Sequence, residues 1–180
     1  MPYMDPRDEI ALEPDLVWTD HYEDERERIQ DASGEQLLGV FHIGSTAIPD
    51  LPGKPALDVI AVFADYESMR AAADTLTDED YELGYDESDC IVLIRWGDDY
   101  SVFIKMHIQD DQKVRNQLIF RKYLRENSES RREYERVKRE AVAEYPKDQK
   151  AYTQAKSEVV KSLLERARDQ GYAERLPEFV

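Results

Sequence analysis

The stretch His42-Ile43-Gly44-Ser45-Thr46-Ala47-Ile48-Pro49-Asp50-Leu51-Pro52-Gly53-Lys54-Pro55-Ala56-Leu57-Asp58 decides how this chain folds. An apolar run (Leu37, Leu38, Val40, Phe41, Ile43) leads into it and stops at Gly-Ser-Thr. A loop broken by proline and glycine follows, and a second apolar run, Ala56 to Phe63, carries one carboxylate, Asp58. Short apolar runs bounded by turn residues predict buried strands over 37–43 and 56–63. Strand, small-residue turn, loop and acid-bearing strand is one way to build a triphosphate and metal cleft. Glycine lets the backbone approach phosphates, serine and threonine donate hydrogen bonds, and a carboxylate holds the cation. Taken alone, Gly44, Ser45 and Thr46 serve equally well as a phosphate-binding turn or as a strand exit with a polar cap. The Gly-Lys-Ser/Thr ending of a P-loop is absent. Strand alternation puts Asp58, Ile60 and Val62 on one face and Leu57, Val59 and Ala61 on the other. A charge in such a run is costly unless paired or placed at the sheet's cleft end. Asp58 is therefore either a metal ligand or half of an ion pair, with Lys54 or a C-terminal arginine as partner.

Working outward, Leu16, Trp18, Tyr22, Arg26 and Ile29 fall at mostly helical spacing and predict a helix over about 16–32. Met69, Ala72, Ala73 and Leu76 predict another over 66–76. Two strands, 90–96 and 100–108, are expected to form a hairpin around Gly97-Asp98-Asp99. Helices are predicted over 112–126, 129–144 and 148–170, broken at Asn127-Ser128 and Pro146. Strands fill the first two-thirds and helices the remainder, which is the order of an α+β fold: a mixed β-sheet flanked by helices with a C-terminal helical block. Residues 1–9 read as a polar, proline-broken tail, and 10–180 as one domain.

Forty acidic residues against 24 basic ones give a net charge of −16. Such a surface repels phosphate backbones, so nucleic-acid binding is not expected. Excess acid, with 15 arginines to 9 lysines, suits a halophilic protein in a high-salt cytoplasm where ions screen its self-repulsion. One cysteine, Cys90, excludes an intramolecular disulfide and a thiolate zinc cluster; set in an apolar strand, it reads as a core thiol. No stretch approaches the ~18 consecutive apolar residues of a membrane helix, and the first residues lack a signal peptide's basic start and apolar centre. The expected setting is cytoplasmic, away from membranes.

The segment from His42 to Asp58 resembles the GrpB family, which is assigned to the nucleotidyltransferase superfamily. The elements that carry the resemblance are His42 to Thr46, then Pro49 to Leu51 with Asp50 where glycine is usual, Lys54-Pro55, and Asp58. It continues through Phe120-Arg121-Lys122-Tyr123-Leu124-Arg125 to Tyr134…Lys138 and Tyr152…Lys156, spanning roughly positions 10 to 170. The resemblance implies a nucleotidyltransferase-like sheet. It also implies a nucleoside triphosphate with Mg²⁺, and transfer of a nucleotidyl group to a small acceptor. Active members of the superfamily usually carry two acids on the strand of Asp58 and a third on a later strand. Here the second position is Ile60, and the later strand reads Lys105-Met106-His107. Asp50, Asp110 and Asp111 are the candidates for a second carboxylate.

Candidate roles follow. Gly44, Ser45, Thr46 and Lys54 would hold phosphates, and Asp58 the metal and the catalytic charge. Arg121 and Arg125, four apart on one helix face, would reach phosphate with Lys138; the same bases could instead pair with neighbouring acids. His107, at a strand end, could act as base or ligand, and His42 similarly, although a lone histidine is more often a satisfied core residue. Three readings stand: a nucleotidyltransferase, a non-catalytic sensor of a nucleotide or phosphometabolite, and an interaction module with a vestigial cleft.

Overall fold

The computed structural model describes Leu12 and residues 18–180, so the tail at 1–9 and Leu16 lie outside the described residues. Helix α1 spans Trp18–Ala32, and strands β1 (Leu37–Ile43) and β2 (Ala56–Phe63) flank the Gly-Ser-Thr turn, of which Ser45–Ala47 forms a single 3₁₀ turn. Helix α2 (Tyr66–Thr77) leads to β3 (Glu82–Glu87), β4 (Cys90–Arg95) and β5 (Ser101–Ile108). Helices α3 (Gln112–Glu126), α4 (Ser128–Glu144) and α5 (Gln149–Asp169) follow, then a 3₁₀ turn at Tyr172–Arg175. Asp65, Asp111 and Asp148 start α2, α3 and α5, each side chain accepting a first-turn amide hydrogen bond.

The strands of the described residues form one sheet in the order β1-β2-β5-β4-β3. β1 and β2 are antiparallel neighbours, with Ile43 opposite Asp58. β2 and β5 run parallel, with Asp58 beside Phe103 and Ile60 beside Lys105. β4 and β5 form the expected hairpin. The interior strand β2 is covered on both faces, which is why it reads as an apolar run without alternation. Leu57, Val59, Ala61 and Phe63 pack under α1 and α2. Ile60 and Val62 pack with Ile43, Val114 and Leu118 beneath α3. This matches the two faces expected from alternation.

The sequence reading omitted β3. Glu82, Leu83, Asp86 and Glu87 are exposed there, and the register shifts between Leu83 and Tyr85, so neither apolar alternation nor a continuous run marks it. The extra Cβ of any residue but glycine at position 84 would lie 2.8 Å from Ile94 Cδ1. An acidic, bulged edge strand resists pairing with a second chain.

Candidate functional site

The turn after β1 is shaped by two glycines. Gly44 has φ +75°, and a Cβ there would lie 3.0 Å from Asp58 Oδ2. The backbone thus passes against the carboxylate of the neighbouring strand, an approach that only glycine permits. Gly53, at the far end of the loop, packs equally closely on Ser45 Cβ. Asp50 also adopts a positive φ, +63°, which gives a physical reason for the glycine usual at that position.

This turn forms one wall of a cleft of about 560 Å³, closed on its other sides by β5 and by α3, α4 and α5. Gly44, Ser45, Thr46, Lys54, Asp58 and Lys138 all line it, so the structure brings these six sequence candidates together. Three further lysines, Lys105, Lys113 and Lys156, face the same space. Five of the chain's nine lysines therefore meet in one cleft, with Asp58 the one carboxylate among its lining residues. Lys138 is 2 % exposed and donates to Ser45 Oγ (2.5 Å) and to the Pro52 carbonyl (2.6 Å). Burial, reinforced by Lys156 and Lys54 nearby, pushes its ammonium well below the ordinary lysine range. Burial likewise brings Lys156 down to about 8 and lowers Lys54. Lys54 Nζ donates to Gln149 Oε1 (3.2 Å). Phe103 stands in the same wall, and Trp96 meets it edge-on, with ring centroids 5.9 Å apart.

Asp58 has an ion-pair partner that the sequence reading did not name. Lys105 Nζ lies 3.3 Å from Asp58 Oδ1, reached from the adjacent parallel strand. No candidate supplies a second carboxylate. Asp50 is exposed on the loop, Asp110 pairs with Arg115 (3.3 Å), and Asp111 caps α3 while accepting from His107. Among the described residues no group of three histidine, cysteine or carboxylate side chains is placed to hold a metal ion. A single carboxylate already held by an ammonium does not fit a divalent ion bound by the protein, which needs several oxygens, nor a two-metal centre.

The remaining candidates lie elsewhere. His107 does not line the cleft. It is buried at the far end of β5, with Nδ1 2.9 Å from Asp111 Oδ2 and Nε2 3.8 Å from Cys90 Sγ. Burial lowers its pKa and raises that of Cys90 to about 11, as befits a closed structural triad. The base or ligand role expected of His107 does not fit that position. Arg121 and Arg125 also stay outside the cleft. They brace the turn from behind, Arg121 Nη1 donating to the His42 carbonyl (2.8 Å) and Arg125 Nε to the Ala47 carbonyl (2.7 Å). Their reach is spent on backbone rather than on phosphate.

His42 completes the bracing. Its Nε2 is 2.8 Å from Thr46 Oγ1, and its ring stacks on Tyr22. Burial, then the charge of Arg125, holds its pKa down to about 4. The folded form therefore binds fewer protons than the unfolded chain between about pH 6.5 and 4. Stability from this group is full above that window and lost as pH falls through it, by up to about 3 kcal/mol. Urea melts at pH 7 and pH 4.5 should show the loss, and His42→Gln should shrink it. An equal loss in the variant would assign the acid sensitivity to other groups.

The α+β sheet with a Gly-Ser-Thr turn set against Asp58, and a helical block closing over both, defines a nucleotidyltransferase-like domain. The family model described as "GrpB protein" matches residues 10–166, and the chain belongs to the GrpB family. It is 36% identical over 161 residues to UPF0157 protein SCO7215 of Streptomyces coelicolor, covering 88% of this chain and 84% of that protein. The crystal structure of the conserved protein GrpB from Enterococcus faecalis superposes with a TM-score of 0.79 at 23% identity, covering 89% of this chain and 98% of that one. The Cid1 poly(U) polymerase, in its Mg 3′-dATP-bound structure, shares the fold at a TM-score of 0.56 and 9% identity, over 83% of this chain and 50% of that one.

Proposed function

We propose that this chain binds a phosphorylated small molecule, with a nucleoside triphosphate as the leading candidate, in the lysine-lined cleft beside Gly44–Thr46. The observation that carries the reading is the gathering of five lysines around one carboxylate in a molecule whose net charge is −16. Ammonium groups held close together, with Lys138 buried among them, are unfavourable without an anion, so the cleft is an electrostatic mould for one. In an acidic molecule such a cleft also concentrates the field, drawing small anions to one place. The ion-paired state of Asp58 favours binding over turnover, and a sensor or carrier of the ligand is the form of the proposal that fits it best. A second reading, nucleotidyl transfer to a small acceptor, draws on the opening of Asp58 into the cleft and on the polymerase fold. It requires the triphosphate to arrive as its Mg²⁺ chelate and Lys105 to release Asp58. The cytoplasm and high salt belong to the proposal as its setting; among the described residues no helix is long and apolar enough to cross a membrane.

The test is a thermal screen of nucleoside mono-, di- and triphosphates, pyrophosphate and triphosphate, at high KCl. A ligand present at a hundred times its Kd stabilises by about 2.7 kcal/mol, or roughly 5–10 °C for a domain of this size. Stabilisation rising with phosphate number is the expected result. A flat screen overturns the phosphate reading and leaves the interaction module.

A further inference from the structure

We infer that the cleft takes its polyphosphate as the free anion rather than as a magnesium chelate, with Lys105 standing at Asp58 where a divalent cation would otherwise bridge, and with Gln149 and Tyr152 as two unassigned ligand donors. The inference rests on the phosphate reading above.

The hydrogen-bonding sense of the lining carries it. Ser45 Oγ accepts from Lys138 and is also hydrogen-bonded to the Tyr134 side chain, which fixes it in the cleft wall. Gln149, a lining residue, accepts from Lys54 at Oε1, and its buried Nε2 has no partner. The Tyr152 hydroxyl is likewise buried without a partner, on a side chain that is 0 % exposed and lines the cleft. A buried donor without an acceptor is rare in folded proteins and points to a missing group. Of the five buried side-chain atoms without a partner among the described residues, these two are the ones on cleft-lining residues; both lie on α5, beside Lys54 and Lys156. The cleft thus offers donors and ammonium groups almost throughout, with Asp58 as the exception, and Lys105 already neutralises Asp58.

Charge balance points the same way. Five ammonium groups against one carboxylate leave an excess of four when all are protonated. A free triphosphate carries about four negative charges and its magnesium chelate about two, so the free anion is the better complement. Chelation would also occupy the oxygens that the donors seek. Burial disfavours the charged forms of Lys138 and Lys156, and a bound anion would favour them again.

Calorimetric titration of the full chain with ATP and with inorganic triphosphate, in EDTA and in excess Mg²⁺, tests the inference. We expect Kd in EDTA to be tighter by tenfold or more. Binding that appears only with Mg²⁺ overturns the inference and leaves phosphate recognition intact. Absence of binding in both conditions overturns both, through the phosphate reading. Asp58→Asn sharpens the result: it should tighten binding in EDTA about three- to tenfold by removing a repelling carboxylate, whereas loss of binding would make Asp58 a metal ligand. Tyr152→Phe and Gln149→Leu should each weaken binding about tenfold or more, the scale of a hydrogen bond to a charged oxygen. Tyr152→Phe should not lower the melting temperature of the free protein, and Gln149→Leu, which also removes the acceptor of Lys54, should lower it only slightly. A drop in melting temperature with unchanged affinity would make these groups structural and overturn their assignment.

Discussion

Replacing Glu25 with alanine is expected to cost about 3–5 kcal/mol, the scale of breaking a buried ion pair and stranding its partners. Glu25 is 2 % exposed in the middle of α1. One carboxylate oxygen accepts from Arg95 at the end of β4, and the other accepts from the Tyr81 hydroxyl just before β3. Arg28 approaches from the same helix at 3.8 Å, and the Arg28 and Arg95 guanidinium groups stand 4.9 and 5.6 Å from the Tyr81 ring. The carboxylate therefore ties α1 to the strand pair at the far edge of the sheet. Its loss leaves the buried Tyr81 phenol without its acceptor and, among the described residues, the Arg95 guanidinium with only Asp80, 3.9 Å away. Urea unfolding should show the loss directly, and heating should show a fall of roughly 6–20 °C. Glu25→Gln should recover part of it by keeping an acceptor for Tyr81. A change below about 1 kcal/mol in the alanine variant would mean that water replaces the carboxylate.

Lys138→Met should do the reverse, removing ligand binding while sparing the fold. Its ammonium group carries two charge-assisted hydrogen bonds, to Ser45 and to Pro52 at opposite ends of the loop. Methionine keeps the length of the stem and removes a buried charge whose protonated state is disfavoured there. That relief offsets the loss of two acceptors' partners, so stability should change by no more than about 1 kcal/mol. Ligand affinity should fall about 100-fold, as a direct contact goes and the Ser45 turn loosens, equivalent to about 3 kcal/mol. Calorimetry against the same polyphosphates reads the loss. Normal binding in a variant that melts far lower would make Lys138 a strut for the loop and remove it from the binding site.

The sheet and helices were legible because their residues are periodic. The β1–turn–β2 unit shows itself in two apolar runs, a Gly-Ser-Thr stop and one acid, and the helix breaks fall at Asn127 and Pro146 as read. Strand β3 was illegible because its partner supplies the order: with Glu82, Asp86 and Glu87 in solvent, its pairing to β4 is a tertiary fact. The cleft was half legible. Its turn, Lys54, Asp58 and Lys138 stood out, but Lys105 and Lys113 carry no local signal, and the five lysines sit on a loop, β5, α3, α4 and α5. The spacing of Tyr134 to Lys138 and of Tyr152 to Lys156 pointed to shared helix faces, and both pairs do line the cleft. Arg121 and Arg125 misled for the opposite reason. Their spacing marks a common face correctly, but that face meets the back of the turn, where each donates to a backbone carbonyl. His107, a candidate base or ligand at a strand end, is instead sealed between Cys90 and Asp111.

The contact between Trp96 and Phe103 has a spectroscopic consequence. The chain has two tryptophans, and they stand in unlike surroundings: Trp18 is 6 % exposed in the core, and Trp96 is 40 % exposed beside the cleft wall. One indole emits from a dry interior and the other from a wet rim, so their fluorescence separates into a blue and a red component. An occupant settling against Phe103 perturbs the red component alone, whereas unfolding moves the blue one. The protein carries its own two-colour gauge, in which occupancy and folding are read from the same unlabelled sample.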